Sequence, residues 1–258
     1  MSRHGIVAKH MERLRMSELE QIRSHFSPRM RVLEIGGGNG LQAAKIAEWG
    51  CDVTSIDLPE RTNKAIHFDV RGYDGKNIPY GHEYFDIVFS SNVLEHVVDI
   101  DRILQECKRV MKSDGFAIHI MPTPSWRFWT IVSHYPYLIG SALRRMVSED
   151  GVATESIRKI HRGILPLPHG AYRTAFHELY YYSRRCWVRV FWANGFQVSN
   201  CHSNGVFCSG YALFPNFGIP IRKLFSNILG SSGSIYMPSC RRGHFSFMLG
   251  GPGRIWRY

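Results

Sequence analysis

The sequence lacks the features that mark several large classes of protein. None of its six cysteines forms a C-x-x-C pair, so no zinc ribbon or dithiol redox motif is indicated. Its most apolar stretch, residues 128–143, contains His134, Pro136 and Gly140 and falls short of the roughly 20 apolar residues that cross a bilayer. The first ten residues lack the apolar segment of a signal peptide. We therefore expect a reduced, cytoplasmic protein without structural zinc.

Acidic residues are scarce in the C-terminal half. Residues 122–258 hold 16 Lys and Arg against 4 Asp and Glu, a net charge of +12, and 14 of the 16 are arginine. Residues 28–121 are slightly acidic, with 11 basic and 14 acidic residues. Arginine favours bidentate recognition of phosphate or carboxylate. The basic half therefore predicts an anionic small molecule, an anionic membrane surface or nucleic acid as partner, or a solvated surface without any ligand.

A glycine-rich turn between two strand-like runs is the most informative feature that is present. Residues 31–35 form a short apolar run, residues 34–40 read EIGGGNG, and residues 41–49 have helical spacing. A second apolar run over residues 51–56 ends at Asp57. An acid at the tip of the second strand can hold both hydroxyls of a ribose. The pattern predicts a βαβ unit that binds a nucleoside.

The spacing of the glycines distinguishes between nucleosides. Glycines stand at 36, 38 and 40, and Leu41 occupies the third glycine position of a dinucleotide fingerprint. The E-x-G-x-G-x-G spacing from Glu34 resembles the first motif of class I S-adenosylmethionine (SAM) methyltransferases, and SSNVLEHV at 90–97 resembles a signature of the type 11 methyltransferase group. The resemblance implies a Rossmann-like α/β fold with a seven-stranded, mostly parallel sheet, helices on both faces, SAM as cofactor and no metal.

The resemblance also implies which residues bind the cofactor. The acid and the glycine backbone serve the methionine end of SAM, Asp57 takes the ribose, and Asp69 and Val70 meet the adenine. The full set is Glu34, Gly36, Gly38, Gly40, Asp57, Leu58, Asp69, Val70, Ser90 and Asn92.

The remaining elements are predicted from periodicity and from the family order. We expect one domain over residues 1–258: an N-terminal helix in 1–27, a SAM-binding core in 28–121, a substrate lid inserted after strand five in 122–182, and the end of the sheet with a basic tail in 183–258. Strand three is predicted at 65–70 and strand five at 116–121, after a helix that Asp99 caps and Gly115 stops. The last strand is predicted at 234–237, with 245–249 as the alternative.

The lid and the segment after strand four supply candidate catalytic groups. Histidine is the natural base near neutral pH, and His96 follows strand four while His169 and His177 lie in the lid. Glu178 is placed to orient one of the lid histidines. A structural role is the alternative for each of them, and His119, within strand five, is expected to lie in the core.

Further motifs bear on the acceptor. Residues 122–136 (PTPSWRFWTIVSHYP), PHG at 168–170 and an E-x-x-Y at 178–181 resemble methyltransferases encoded among genes for bacterial surface polysaccharides and glycolipids. This implies O-methylation of a sugar, glycolipid or other phosphate-bearing acceptor by in-line transfer, with peripheral contact at the inner face of the membrane as an option. An RNA or protein acceptor, and a non-catalytic SAM-fold binding module, remain alternatives. The [DN]-P-P-[FYW] motif of base-amino methyltransferases is absent, since residues 90–93 read SSNV.

Overall fold

Seven strands form one sheet in the computed structural model, which describes residues 3–62, 66–147, 165–210 and 217–239. The strand order is β3-β2-β1-β4-β5-β7-β6. Neighbouring strands from β3 to β5 pair in parallel, and β7 is antiparallel to both β5 and β6. The strands are β1 Arg31–Ile35, β2 Asp52–Asp57, β3 Val70–Gly72, β4 Phe85–Ser91, β5 Met111–Pro122, β6 Gln197–Ser203 and β7 Gly233–Ser239. The predicted seven-stranded, mostly parallel sheet is confirmed.

Eight α-helices of the described residues surround the sheet. They are α1 Arg3–Gln21, α2 Leu41–Glu48, α3 Pro59–Thr62, α4 Ile100–Val110, α5 Pro124–Val147, α6 Ala175–Tyr181, α7 Arg184–Ala193 and α8 Ile219–Leu229. Two short 3-10 helices lie at Arg23–His25, after α1, and at Leu94–His96, after β4. The Asp99 side chain accepts a hydrogen bond from the Arg102 amide, so it caps α4 as the sequence predicts. No helix in the described part of the chain is long and apolar enough to cross a membrane.

Alternating side chains of the strands divide the core into two layers. Leu33 and Ile35 of β1 pack on one face with Leu104 and its neighbours in α4, while Val32 packs on the other face with Ile46 of α2. Adjacent side chains of a strand point to opposite faces, so each face needs its own cover of helices. Helices on both faces, as predicted, are confirmed.

The N-terminal helix belongs to this core as well as to the cleft above it. Leu19, Ile22 and Phe26 are buried among the residues of the second layer. The N-terminal helix predicted within residues 1–27 is present but ends at Gln21, and a 3-10 turn continues the chain. Its C-terminal end therefore helps to stabilise the sheet, while Leu14 packs with Val206 and Cys208.

The third strand is displaced from its predicted position at residues 65–70. It begins at Val70, because the preceding residues are tied to the glycine-rich turn: the Ile66 and His67 amides both donate to the Asn39 carbonyl at 3.1 Å. A Cβ at Gly40 would lie 2.7 Å from the Phe68 nitrogen. The apolar residues read as a strand instead form a bend over the turn, and the side chain of Ile66 is exposed.

Two further boundaries differ from expectation at strand five. Helix α4 ends at Val110 and not at Gly115, because Met111 is already extended and pairs with Phe85. Gly115 lies inside β5, where a Cβ would come within 2.8 Å of the Asp86 carbonyl oxygen. The last strand at 233–239 confirms the first choice from the sequence, and the alternative at 245–249 lies outside the described residues.

Candidate active site

The glycine-rich turn after β1 forms the floor of a cleft at the carboxyl ends of the parallel strands. Gly36 and Gly38 have φ angles of 78° and 55°, a region that side chains rarely adopt. A Cβ at Gly36 would overlap the Val93 side chain, whereas a Cβ at Gly38 would meet nothing within 4 Å. Gly36 is therefore required for packing, and Gly38 exposes its backbone to the open cleft.

Asp57 stands at the tip of β2 and is joined to this turn. Its Oδ2 accepts a hydrogen bond from the Gly38 amide at 2.9 Å, and its Oδ1 accepts one from the Leu58 amide at 2.8 Å. These bonds fix the carboxylate at the cleft, and each oxygen keeps a lone pair for a further donor. This geometry fits the predicted role of holding ribose hydroxyls.

Glu34 lies beneath the turn and is almost completely buried. Its Oε2 accepts a hydrogen bond from the Ser55 hydroxyl at 2.6 Å. Burial, and secondarily the charge of Asp57, raise the pKa of Glu34 to about 7, although the Ser55 bond opposes the shift. Gly37, which was not singled out from the sequence, makes this contact sterically feasible, because a Cβ there would overlap the Ser55 hydroxyl.

Arg15 of α1 closes the other side of the cleft. When the Asn92 amide is oriented with its oxygen toward the guanidinium, that oxygen accepts bonds of 2.6 Å and 3.3 Å from Arg15. Arg15 also donates to Glu18 at 2.7 Å. A cavity of about 260 Å³ lies between α1 and the glycine-rich turn, lined by Met11, Glu12, Arg15, Gly37, Asn39, Leu41 and Gln42. Asn92 thus borders the cleft through an arginine that sequence reasoning missed.

The other predicted cofactor residues differ in how they face the cleft. Val70 is buried, and its Cγ1 would lie 3.2 Å from a Cβ at Gly37. Asp69 is exposed and lies 3.6 Å from Arg71. The Ser90 side chain points into the core, where its hydroxyl lies 2.8 Å from Nδ1 of His119. His119 is wholly buried, as expected, and burial lowers its pKa to about 3.

The lid is anchored by Glu178. One carboxylate oxygen accepts bonds from the amides of His169 and Gly170, at 2.7 Å and 2.6 Å, and from the Tyr182 hydroxyl at 3.1 Å. The other oxygen lies 2.7 Å from Nε of Arg127. With all these partners Glu178 is a structural anchor, and it orients His169 through the backbone and not through the imidazole.

The lid turn rests on the segment after β4 and brings two predicted histidines together. The Ala171 amide donates to the Glu95 carbonyl at 2.8 Å, and a Cβ at Gly170 would overlap that carbonyl. The His96 and His169 rings pack edge to face with centroids 4.7 Å apart, and Trp126 packs on His169 at the same distance. We call Glu95, His96 and His169 the Glu-His-His cluster.

Burial shifts the pKa of every member of the Glu-His-His cluster toward the neutral form. It raises the pKa of the Glu95 carboxyl to about 8. The pKa of His169 falls to about 4 through burial, and then through the nearby charges of His96, Arg127 and Arg15. The pKa of His96 is lowered by burial and by Arg61. Both shifts favour the neutral imidazole, the form that can accept a proton.

His177 lies apart from this cluster. It is exposed on α6, where its ring nitrogen Nδ1 is 2.9 Å from the Thr174 hydroxyl and its ring lies beside Tyr181. Its described contacts do not include His96 or His169. Of the predicted catalytic residues, the structure joins His96 and His169 directly and links Glu178 to them through the backbone.

Glu95, Arg15 and Arg127 were not identified from the sequence. Glu95 stands beside His96 in LEHV, but nothing in that pattern distinguishes a buried carboxylate from an exposed one. Arg127 lies 51 positions from its partner Glu178, and Arg15 lies 77 positions from Asn92. A signal for such pairs exists only once the fold brings them together.

Comparisons with known proteins agree with this site. Residues 7–200 match the family described as a methyltransferase domain. The ubiquinone biosynthesis O-methyltransferase of Sinorhizobium fredii is 33% identical over 95 residues, which cover 33% of this chain and 38% of that protein. The glycine/sarcosine/dimethylglycine N-methyltransferase of Actinopolyspora halophila is 31% identical over 111 residues, which cover 38% of this chain and 20% of that protein. The chain thus spans well under half of these relatives.

Solved structures share the fold along most of the chain. The methyltransferase in complex with the Trm112 methyltransferase activator of Haloferax volcanii superposes with a TM-score of 0.57 at 13% identity, covering 94% of this chain and 97% of that one. The geranyl diphosphate C-methyltransferase of Streptomyces coelicolor superposes with a TM-score of 0.52 at 13% identity, covering 91% and 83%. The family match, which spans most of the chain, establishes that this chain belongs to the class I SAM-dependent methyltransferase domain family.

Proposed function

We propose that the chain transfers a methyl group from SAM to a hydroxyl oxygen of a small acceptor. The observation that carries the proposal is the position of His96 and His169, two neutral imidazoles beside the cofactor cleft. Val93, which precedes the turn that bears His96, packs on Gly36 of the cofactor loop. A hydroxyl held by these imidazoles would therefore lie next to the methyl donor.

The described residues suit each end of SAM. Asp57 offers carboxylate lone pairs to the ribose, and Gly38 leaves room for the ligand. Arg15 lines the cavity beside the glycine-rich turn and would pair with the methionine carboxylate, as bidentate arginine contacts do. Glu34, beneath the same turn, would favour the amino group. SAM, when bound, supplies a methyl group on a cationic sulfur.

The chain's contribution to the reaction is alignment, exclusion of water and removal of one proton. The lid turn would hold the acceptor hydroxyl in line with the methyl–sulfur bond, and alignment is the larger part of the rate enhancement. As the oxygen–carbon bond forms and the carbon–sulfur bond breaks, the hydroxyl proton passes to a ring nitrogen of His169 or His96. Trp126 packs on His169 and keeps that side of the imidazole dry.

Turnover of single-histidine variants tests this assignment. We expect His169→Ala to lower kcat by about 10²–10⁴-fold, with partial recovery at higher pH and little change in SAM affinity. The matched comparison is His177→Ala, in the same lid but on the exposed face of α6. Isothermal titration with SAM and a radiolabelled methyl-transfer assay provide the readouts. If the two variants have the same turnover, His169 is not the base.

The basic half favours an acceptor that carries phosphate, such as a sugar donor or a glycolipid. Residues 122–258 have a net charge of +12, and exposed charges are screened over about 10 Å in 0.1 M salt. We therefore expect the KM for a phosphorylated sugar or lipid acceptor to rise with salt while the Kd for SAM stays constant. Efficient, salt-independent methylation of neutral acceptors would contradict this acceptor class.

An RNA acceptor is the second candidate, and one surface favours it. A groove of about 460 Å³ on α7 is lined by Arg184, Arg185, Val188, Arg189 and Trp192. Arginines beside an exposed tryptophan can bind phosphates and stack a base. Replacing Arg185 and Arg189 with Gln should abolish RNA binding if this acceptor is correct, and should leave methylation of a small acceptor unchanged if it is not.

A further inference from the structure

Glu95 is a buried carboxyl group without a hydrogen-bond partner among the described residues. Its side chain is fully buried, and both carboxylate oxygens lack such a partner. Among the described residues, the one basic side chain within 4 Å is the His96 imidazole, whose Nε2 lies 3.9 Å from Oε1. Burial of a carboxyl group without a partner is unfavourable, so such a group is expected to have an additional ligand.

The nearby arginines do not supply that ligand. Arg127 lies against Glu178 at 2.7 Å, and Arg15 donates to Glu18 at 2.7 Å. What faces Glu95 instead is a pair of imidazoles. The ligand atoms of Glu95, His96 and His169 all lie within 4.8 Å of one another.

Two imidazoles and one carboxylate form a known set of ligands for a catalytic transition metal. Zinc sites of this kind bind the metal at about 2.0–2.2 Å and leave one position open for water or substrate. Three ligand atoms on a tetrahedral zinc are then about 3.4 Å apart. The side chain of His96 is 41% exposed, and the site requires its ring to turn so that its nitrogen comes within this range.

We infer that the Glu-His-His cluster is a binding site for a divalent transition metal, with zinc as the preferred ion. Nitrogen ligands favour zinc over magnesium, which prefers oxygen ligands and water. The family resemblance implies no metal, so this site departs from that expectation, and Glu95 and His96 lie in the turn that follows β4.

The site deepens the proposed function and rests on it for its role in the reaction. The open position of the metal would bind the acceptor hydroxyl and lower its pKa. The hydroxyl proton then leaves to solvent water, the oxygen forms its bond to the methyl carbon, and the carbon–sulfur bond breaks. With zinc bound, the two imidazoles hold the metal, and solvent water replaces them as the proton acceptor proposed above for the metal-free chain.

Direct zinc binding by the full chain, prepared without a histidine tag, tests the site. We expect equilibrium dialysis to give one zinc per chain, and zinc affinity to fall at least about tenfold in each of Glu95→Gln, His96→Ala and His169→Ala. The control is His82→Ala, an exposed histidine before β4, with unchanged affinity. Titration with SAM reports whether each variant is folded, and His169→Gln provides a second variant in the lid.

The outcomes separate this inference from the proposed function. Visible absorption of bound Co²⁺ with nitrogen ligation, lost in His169→Ala, supports the site. Zinc binding without any methyl transfer would also support the site, and would remove the proposed function. A chain that binds SAM and transfers methyl groups after treatment with a chelator, but binds no zinc, overturns the site and leaves the proposed function in place. Equal zinc affinity in the parent and Glu95→Gln overturns it as well.

Discussion

The guanidinium of Arg127 lies 2.7 Å from the carboxylate of Glu178, and the two side chains are 2% and 0% exposed. Arg127 also donates to the Ala175 and Leu167 carbonyls. The pair thereby joins α5, α6 and the loop that leads to His169. Because Glu178 also binds the His169 and Gly170 amides, the position of the histidine depends on an ion pair that solvent does not reach.

Removing one partner of this ion pair should be strongly destabilising. We expect Glu178→Leu to lower the free energy of unfolding by about 3–5 kcal/mol, because it leaves the Arg127 charge buried and unpaired. Urea denaturation measures the change. The exposed pair Lys45–Glu48 is the control, since Glu48→Leu should change stability by less than about 1 kcal/mol. The double variant Arg127→Met/Glu178→Leu should recover part of the loss, and equal effects of the buried and exposed substitutions would contradict the prediction.

Gly38 and Gly205 make a matched pair of substitutions. Both have positive φ, at 55° and 62°, and a Cβ at either would meet nothing within 4 Å. Alanine should therefore lower stability by a similar amount, on the order of 1 kcal/mol, at both positions. Only Gly38→Ala should weaken SAM binding, because its methyl group would enter the cofactor cleft. Titration calorimetry checks this, and equal SAM affinity in the two variants would remove the glycine-rich turn from the binding site.

Asp57→Ala should weaken SAM binding by about 1–3 kcal/mol, since the ribose hydroxyls lose a charged acceptor. Asp52, which is exposed at the other end of β2, is the control, and Asp52→Ala should leave SAM affinity unchanged. The Kd for SAM is the quantity measured. The ribose assignment fails if Asp57→Ala binds SAM as the parent does while remaining folded.

Glu34 should make stability depend on pH. Its pKa is raised from 4.5 to about 7 in the folded protein, so the fold prefers the neutral carboxyl. This contribution is fully present below about pH 4.5 and is lost as the pH rises through about 7, with a total near 3 kcal/mol. We expect the stability of the parent, relative to Glu34→Gln, to fall over this range. The titration of Glu95 occurs in both proteins, so its contribution cancels when the two free energies of unfolding are subtracted. If that difference does not change with pH, the buried Glu34 carboxyl is not the cause of the pH dependence.

Arg15→Met should weaken SAM binding by about 1–3 kcal/mol, because the methionine carboxylate loses a charged donor. Lys9 lies on the same helix and is exposed, so Lys9→Met is the matched control, with unchanged affinity. A point substitution is more informative than deletion of residues 1–26, because Leu19, Ile22 and Phe26 belong to the core. Equal Kd values for SAM in the two variants would show that α1 does not bind the cofactor.

The sequence predicts the glycine-rich turn and the strands on either side of it well, for a local reason. Glu34, Gly38 and Asp57 lie within 24 residues of one βαβ unit, where short-range geometry follows from residue type. The one large error, strand three, arose because the backbone of residues 66–68 is held against the glycine-rich turn and not in the sheet. The side chain of Ile66 is exposed although it is apolar, so hydrophobicity at this position does not report burial in a strand.

The contacts around His96 and His169 could not be predicted from the sequence, because they join segments that are distant along the chain. His96 and His169 were both recognised as candidates, but their contact depends on Gly170 packing against the Glu95 carbonyl. His177 had equal standing in the sequence and lies on the exposed face of α6. Only tertiary structure separates the two lid histidines.

The packing of Gly170 on the Glu95 carbonyl has a consequence for the order of events in a catalytic cycle. The turn that carries His169 is bonded to the turn that carries His96, so lifting the lid separates the two imidazoles. The cavity beside Arg15 and Gly37 is lined by α1, the glycine-rich turn and the start of α2, and its lining includes no residue of the lid. We therefore expect SAM to bind while the lid is closed. A bulky acceptor would enter only while the lid is lifted and the His96 and His169 imidazoles are apart. Closure of the lid over the acceptor would then bring the two imidazoles together again.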